Sequence, residues 1–356
     1  MSIPTSPDEE QTTVVMHRTA DYQPPHTWRT WLFGRPLSTA DAPHQTIGKL
    51  VGLAVFASDA LSSTAYATQE ILVILAAAGT LALGYVFPIS IAIVILLAIV
   101  TISYEQTIHA YPGGGGAYIV ARDNLGELPA QTAGAALLTD YILTVAVSIS
   151  SGVAQIISAM PALYPYRVWI AMGLVLLVMV INLRGVKESG TTFAIPTYFF
   201  ILMMFLTVGI GLFRALSGSL GNVVDPPHFE APETLAPIGA FLILHAFSSG
   251  TAALTGVEAI SNGITAFREP RSRNAGITLI WMSLILGSLF LGISFLTGQI
   301  DAVPSEAETI ISQLTRTIYG GRGALYLAVI TATTVILVMA ANTAFADFPR
   351  LSALHA

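Results

Sequence analysis

Long apolar stretches alternate with short polar segments along most of the chain. They begin after about 45 mainly polar residues, and most of them approach or exceed the roughly 20 residues that a membrane-spanning helix needs. A helix satisfies its own backbone hydrogen bonds in lipid, so the pattern predicts an all-α integral membrane domain. We expect about eight spans, which cover about residues 48–78, 84–108, 130–160, 168–183, 193–216, 238–267, 275–296 and 324–345.

Small polar residues interrupt two of these spans. The first span contains Asp59 followed by hydroxyl residues at 62–64, and the sixth contains polar segments at 248–251 and 255–258. Hydroxyl side chains can take up backbone groups that are freed where a helix breaks in lipid. We therefore expect the first and sixth spans to be discontinuous. Two such spans that cross in opposite directions are typical of an inverted-repeat transporter with its binding site at the breaks.

The chain divides into a tail and a membrane domain. Residues 1–47 are polar and lack the basic start and short apolar core of a secretory signal, so we expect a cytoplasmic N-terminal tail. Residues 48–356 then form the transmembrane transporter domain. A complete five-plus-five inverted repeat needs more spans than this segment holds. We therefore expect the domain to be incomplete, without its later helices.

The basic residues predict the orientation. If the N-terminus is cytoplasmic, the outer loops hold only four of the 15 lysine and arginine residues, namely Arg167, Arg214, Arg316 and Arg322. Because cytoplasmic loops are enriched in lysine and arginine, this distribution favours a cytoplasmic N-terminus. We expect a multi-pass protein of the plasma membrane.

Composition excludes several classes of protein. Hydrophobic residues make up 54% of the chain and charged residues 10%, whereas soluble domains carry about 25% charged residues. The absence of cysteine excludes disulfides, iron–sulfur clusters and thiol catalysis. No histidines have metal-ligand spacing, and no basic run indicates nucleic-acid binding. No nucleophile–base pair is present either, so we expect neither an enzyme nor a cofactor.

Four acidic residues lie within the spans: Asp59, Glu70, Asp140 and Glu258. A charged residue at the bilayer centre costs roughly 2.5–3.5 kcal/mol on insertion scales, so such carboxylates are functional by default. The alternative for Asp59 is a kinked helix whose carboxylate pairs with a neighbouring helix. Glu70 lies nearer the outer end and is equally well explained as a surface carboxylate. Glu258 is the expected proton carrier, because an apolar site favours the protonated form of a carboxylate.

Hydroxyl residues accompany Asp140 on its helix. Asp140, Thr144 and Ser148 follow one another at steps of four, which places three oxygen-bearing side chains on one helix face. This face is a candidate cation site. The alternative is a hydrogen-bonded seam that holds helices together, as serine and threonine often do in membranes.

Similar pairings occur at the two breaks. Thr255 and Glu258 are three residues apart, and Tyr66 returns to the side of Asp59 after seven residues. The middle of every span is free of lysine and arginine. Carboxylates, hydroxyls and freed carbonyls without a positive charge suit a monovalent cation or a proton better than an anion.

Three further features carry weaker expectations. The glycine run at 113–116 is not followed by the lysine of a phosphate-binding loop, so we expect a hinge, a close-packing contact or a moving gate. Segment 306–319 has apolar residues at helical spacing and is expected to lie along the membrane surface. Asn262, Asn342 and Asp347 are expected to cap helix ends.

Four motifs together resemble a known family. They are DALSSTAY at 59–66, YPGGGGAY at 111–118, DYILTVAVS at 140–148 and LTGVEAISN at 254–262. These segments look like the KimA branch of the KUP-type potassium importers, which belong to the amino acid–polyamine–organocation (APC) superfamily and have the LeuT fold. The resemblance extends from about residue 49 to the end of the chain. It implies proton-coupled potassium uptake.

The resemblance also implies roles for individual residues. Potassium would be bound by Asp59, Tyr66, Asp140, Tyr141, Thr144, Ser148 and Thr255, and Glu258 would couple the proton. Potassium and protons would be the transported ions, with the lipid bilayer as the other partner. The family has four more membrane helices and a C-terminal cytosolic domain, and a homodimer is expected only with that part.

Two other interpretations stay open. Amino-acid permeases of the superfamily bind a substrate carboxylate on backbone amides at the break in the first helix. Asp59 would repel a carboxylate there but could pair with an ammonium group, so an amino acid or polyamine permease is the main alternative. A channel or structural membrane subunit is the second, although broken helices five spans apart argue against it.

Overall fold

The computed structural model describes residues 46–183, 190–227 and 235–355. The expected tail at 1–47 lies almost entirely outside the described residues. In these ranges the chain is helical, and β pairing is limited to an isolated bridge between Ile47 and Phe267. The prediction of an all-α membrane protein is therefore confirmed. The α-helices are α1 (Lys49–Ser62), α2 (Ala67–Ala76), α3 (Thr80–Leu83), α4 (Val86–Ala110), α5 (Gly116–Leu125), α6 (Glu127–Ala159), α7 (Arg167–Leu183), α8 (Gly190–Leu216), α9 (Ala240–Gly250), α10 (Ala259–Asn262), α11 (Arg271–Gln299), α12 (Ile310–Tyr319) and α13 (Ala324–His355).

The number of spans agrees with the sequence. Seven helical segments of the described residues are long and apolar enough to cross a membrane, and the first of them is Lys49–Ala76. The sixth predicted span contributes a shorter apolar helix, Ala240–Leu254, followed by irregular backbone. The protein is thus a multi-pass membrane protein, whose described part has seven long spans, the first of them broken, and a shorter eighth that is also broken.

The first span breaks at its hydroxyl residues. α1 ends at Ser62, a 3-10 turn covers Ser63–Ala65, and α2 begins at Ala67. Ser62, Ser63 and Thr64 each donate a hydroxyl hydrogen bond to the carbonyl three residues earlier, at 2.5–2.7 Å. Such bonds compete with the helical pattern and tighten the turn, which is the behaviour expected from the sequence.

The sixth span breaks more completely. α9 ends at Gly250 and passes through a 3-10 turn, Thr251–Leu254. Thr255 then has an extended ψ of 135°, and Gly256 has a left-handed φ of +84°. Glycine adopts this conformation without the steric cost that a side chain adds. The backbone resumes a helix only in the short α10.

The two broken spans run in opposite directions and touch each other. The Ile47 amide donates to the Ala266 carbonyl at 2.9 Å, so the start of the first span and the end of the sixth share one end of the bundle. We call it the N-terminal end. In the middle, Ser63 Oγ donates to the Ala253 carbonyl at 2.9 Å and joins the two breaks.

The degree of enclosure differs between the spans. The first span is the most enclosed, since 83% of the residues in its most apolar 18-residue segment are buried. It packs against α8, α11 and α13. α7 is the least enclosed at 6% and presents apolar side chains outward, as a lipid-facing helix does.

α6 and α13 form the most extensive helix pair. Gly152 of α6 lies at this contact, where an added Cβ would be at ordinary van der Waals distance, 3.6 Å, from Leu337 Cβ. The predicted end of the eighth span near residue 345 is wrong, because α13 continues to His355 with Pro349 inside it. The expected cap Asn342 is therefore inside the helix, where its Oδ1 accepts from Asn182 Nδ2 of α7 at 2.8 Å.

α12 was expected to lie along the membrane surface, but it is buried among other helices of the bundle. Its predicted apolar positions are buried, but the polar residues Ser312, Gln313 and Thr315 are buried as well. Its N-terminus is held by side chains of other spans, since the Ile310 amide donates to Gln69 Oε1 at 3.3 Å and Thr309 Oγ1 donates to Gln155 Oε1 at 3.0 Å. α12 is therefore packed into the bundle, at the end opposite the N-terminal end.

Candidate functional site

The site centres on Asp59, whose carboxylate is enclosed at the contact between the two broken spans. Asp59 is 3% exposed, and its Oδ1 has no hydrogen-bond partner among the described residues. A Cβ placed on Gly256 would lie 2.8 Å from Asp59 Cγ. Gly256 is thus needed for its backbone angle and for the space that the carboxylate occupies.

Glu258 lies just beyond the second break. It is 8% exposed, and its Oε1 also lacks a partner in the described part of the chain. The Asp59 carboxylate interacts electrostatically with Glu258 and, less strongly, with Asp140. Among the described residues, no lysine or arginine contributes to the electrostatic surroundings of either buried carboxylate. The site is therefore acidic and without a positive counterion.

α6 contributes the polar face that the sequence predicted. Asp140 is half-buried, whereas Thr144 and Ser148 are buried. Ser148 Oγ has no hydrogen-bond partner in the described structure, although Ser150 on the same helix donates to the Ala146 carbonyl at 2.8 Å. A buried hydroxyl without a partner is unusual, since such groups are normally bonded. The Ser148 hydroxyl is thus available to a ligand.

Tyr66, Tyr141 and Thr255 complete the predicted set. The first two are buried, and Thr255 is half-buried beside Gly256 at the second break. Tyr66 interacts electrostatically with Asp59 and Asp140, which places it at the site.

Glu70, one of the four acidic residues predicted within the spans, lies at the edge of the candidate site. Glu70 lies in the first turn of α2 and is half-buried. Its charge acts on Tyr66, more weakly than those of Asp59 and Asp140 do, and it is not among the charges that act on Asp59. Glu70 is thus peripheral to the site.

Two residues of the site were missed by sequence reasoning, which expected both to cap helix ends. Asp347 lies inside α13, and its charge acts on Tyr141, Glu258 and Asp59. Asn262 ends α10, and its Nδ2 donates to the Tyr141 hydroxyl at 3.4 Å. The sequence does contain a signal for Asp347: it lies three residues after Ala344 and four before Leu351, which places it on the same helix face as these apolar residues.

The glycine run at 113–116 forms a close-packing contact, which is one of the three roles expected from the sequence. Gly114, Gly115 and Gly116 all have positive φ values, of 83°, 97° and 45°. A Cβ on Gly116 would clash with Asn262 Oδ1, and one on Gly114 would lie 2.8 Å from the Asn262 carbonyl oxygen. The loop is therefore seated directly on the end of the broken sixth span. Its movement as a gate stays a prediction.

The arrangement has the chemistry of a cation site with oxygen ligands. Within the described ranges, no three acidic or histidine side chains converge as a metal-binding cluster. A compact site for a divalent or transition metal is thus not formed there, since such ions need several ligands in close, defined geometry. Dispersed carboxylates and hydroxyls suit a larger monovalent cation better.

Comparison with known proteins relates the chain to membrane transporters. Residues 47–355 match the family described as amino acid permease. The chain is 47% identical over 328 residues to the potassium transporter KimA of Bacillus subtilis strain 168, covering 92% of this chain and 53% of that protein. It is 27% identical over 238 residues to cationic amino acid transporter 6, chloroplastic, of Arabidopsis thaliana, covering 63% and 38% respectively. The chain thus spans about half the length, or less, of these curated relatives.

Proposed function

We propose that this chain, which belongs to the amino acid permease family, takes part in proton-coupled potassium uptake across the plasma membrane. The observation that carries the proposal is the Asp59 carboxylate, which is buried against Gly256. Among the described residues, one of its oxygens has no hydrogen-bond partner and no positive charge acts on it. A buried carboxylate in such surroundings must bind a cation or a proton. The similarity to the potassium transporter KimA supports potassium as that cation.

In this mechanism, potassium binds near mid-membrane between the two broken spans and α6. Asp59 and Asp140 supply charge, and the hydroxyl groups of the site supply neutral oxygen ligands. These hydroxyls belong to Tyr66, Tyr141, Thr144, Ser148 and Thr255. Each ligand replaces part of the hydration shell of the ion, which is the general basis of selective binding.

Glu258 carries the proton in the same proposal. Its position directly after the break lets it interact with Asp140 and the other site carboxylates. It takes up a proton from the outer side and releases it on the cytoplasmic side as the bundle rocks about the site. The N-terminal end of the bundle is cytoplasmic in this orientation, as the basic loops indicate.

A cationic amine is the second candidate substrate, because relatives of the chain are named as cationic amino acid transporters. Asp59 or Asp140 could pair with an ammonium group as well as with potassium. An amino acid would also need a partner for its carboxylate, and the acidic site disfavours one. Competition between potassium and arginine or putrescine for binding separates the two candidates.

Binding of the potassium analogue ⁸⁶Rb⁺ by the purified chain in lipid nanodiscs tests the proposal. We expect Asp59→Asn to abolish saturable binding, and the exposed Asp123→Asn to leave it unchanged as a matched control. A second pair lies on α6, where Ser148→Ala should weaken binding and Ser150→Ala should not. Saturable binding that survives Asp59→Asn would show that the site is wrongly placed.

Growth complements the binding assay. Expression of the chain in a strain that lacks potassium uptake should be compared with expression of a version extended by the part of KimA that the chain does not cover. Rescue at low potassium that depends on Asp59 supports the proposal. If neither version rescues growth although both reach the membrane, and arginine displaces ⁸⁶Rb⁺, the amine function is favoured.

A further inference from the structure

Asp347 occupies a position in α13 where the packing pattern needs an apolar residue. Ala344 and Leu351 form one apolar cluster with Tyr141 of α6. Asp347 follows Ala344 by three residues and precedes Leu351 by four, so it lies on the same helix face. A carboxylate there interrupts the surface that packs on α6, and a purely structural helix would place an apolar side chain at this position.

The charge of Asp347 reaches the candidate site. Among the charges that act on Tyr141, that of Asp347 is the strongest, ahead of Glu258 and Asp59. On Asp59 it acts more weakly than Glu258 and Asp140 do. Asp347 therefore lies on the Tyr141 side of the site, where Asn262 and the glycine loop are seated.

The four carboxylates form one interacting set. The charges of Asp140 and Asp347 act on both Asp59 and Glu258, and no lysine or arginine in the described part of the chain balances these two buried carboxylates. Like charges in a poorly solvated site do not all ionise together unless cations or protons neutralise them. Glu258 provides separate evidence that a cation or proton binds here, because its Oε1 is buried without a partner among the described residues. Asp347 differs from it in being half-buried.

We propose that Asp347 is a second proton-exchanging carboxylate of the site, which accepts the proton that Glu258 releases and passes it to water at the N-terminal end. The proposal rests on the proton-carrying role of Glu258 under the proposed function. In the step, the O–H bond at Glu258 breaks and one forms at Asp347, directly or through water. The proton then leaves to bulk water and Asp347 becomes a carboxylate again. The charge of Asp347 acts on three titratable groups, Tyr141, Glu258 and Asp59.

Infrared titration of the full chain in lipid tests the proposal without any cation. The carbonyl band of protonated carboxyl groups is recorded against pH, and Glu258→Gln identifies the contribution of Glu258. We expect Asp347→Asn to remove one titrating component and to change the pH range over which the Glu258 band titrates. Asp347→Glu should restore the wild-type titration of the Glu258 band, whereas the exposed Asp123→Asn should leave the titration of that band unaltered. An identical Glu258 titration in wild type and Asp347→Asn would overturn the proposal.

The pH dependence of ⁸⁶Rb⁺ binding provides the second readout. Each proton linked to binding changes Kd by up to tenfold per pH unit. We expect Asp347→Asn to reduce the change of Kd with pH by up to tenfold per pH unit, and Asp347→Glu to keep the wild-type pH dependence. If the wild-type chain binds no ⁸⁶Rb⁺, the potassium function fails, while the infrared titration still decides on Asp347. Binding with an unchanged pH slope in Asp347→Asn would count against Asp347 alone.

Discussion

The two broken spans reach their discontinuities by different means. In the first, Ser62, Ser63 and Thr64 bind carbonyls of their own helix, and the backbone stays near helical geometry through a single 3-10 turn. In the second, an extended Thr255 and a left-handed Gly256 take the chain out of helical geometry altogether. The first break is made by side chains and the second by the backbone.

This difference explains where the functional groups lie. The first break keeps its backbone groups occupied, so the side chain of Asp59 is what it presents to the site. The second break opens the backbone itself and positions Glu258 immediately after it. A break made by hydroxyl groups can tolerate the loss of one of them, whereas a break that depends on one glycine cannot. The predictions below test this contrast.

Gly256→Ala should have the largest effect. A side chain at a left-handed φ costs about 1–3 kcal/mol, and the new Cβ would meet Asp59 Cγ at 2.8 Å. We expect the free energy of unfolding to fall by at least about 2 kcal/mol, with loss of ⁸⁶Rb⁺ binding. Gly239→Ala is the control, since it lies before the same span with nothing within 4 Å and an ordinary φ. Equal thermal stability of the two variants in detergent would contradict the assigned role of Gly256.

Glu258→Gln should separate the two carboxylates by function. We expect Asp59→Asn to abolish saturable ⁸⁶Rb⁺ binding at every pH, because the cation loses a buried negative charge. Glu258→Gln should instead retain measurable binding and lose its pH dependence, because a neutral amide cannot exchange a proton. The measurement is Kd between pH 5 and 9. A flat wild-type profile, or the same pH dependence in Glu258→Gln, would refute the proton role.

Gly116→Ala should cost about 1–2 kcal/mol, because the residue has a left-handed φ and its new Cβ would meet Asn262 Oδ1. Asn262→Ala removes that oxygen, so the double variant should recover part of the loss in a double-mutant cycle. Gly113→Ala, which has open space around it, should be neutral. Strict additivity of the two substitutions would show that the loop and the sixth span are not in contact.

Ser63→Ala should have the smallest effect, about 1 kcal/mol. Its hydroxyl bonds both the Ala60 and the Ala253 carbonyls, whereas that of Ser62 bonds only within its own helix. Ser63→Ala should therefore reduce the midpoint of thermal unfolding more than Ser62→Ala does. The reverse order would show that the contact between the breaks adds nothing to stability.

Much of this site could be predicted because its signals are local. A carboxylate followed by three hydroxyl residues in an apolar run indicates a break, and the spacing of Asp140, Thr144 and Ser148 indicates a shared face. The structure bears out both. It brings these residues to the same region as Glu258, which their sequence separation does not reveal.

The failures come from partners that are distant in the sequence. Asp347 looked like a cap because the eighth span was expected to end near residue 345, yet α13 continues to His355. α12 looked like a surface helix because its apolar residues follow helical spacing in an otherwise polar segment. Its contacts, Gln69 and Gln155, lie more than 150 residues earlier in the chain.

The hydrogen bond from Ser63 to the Ala253 carbonyl has a mechanical consequence. It fastens the two broken spans to each other, while α6 and α13 are fastened by their own extensive packing. The oxygen ligands divide along the same line, with Asp59, Tyr66, Thr255 and Glu258 on one body and the residues of α6 and α13 on the other. In the proposed site, a bound cation therefore adds a link between these two groups of helices, beside the packing of the first span on α13, and its arrival or departure changes how strongly they are coupled.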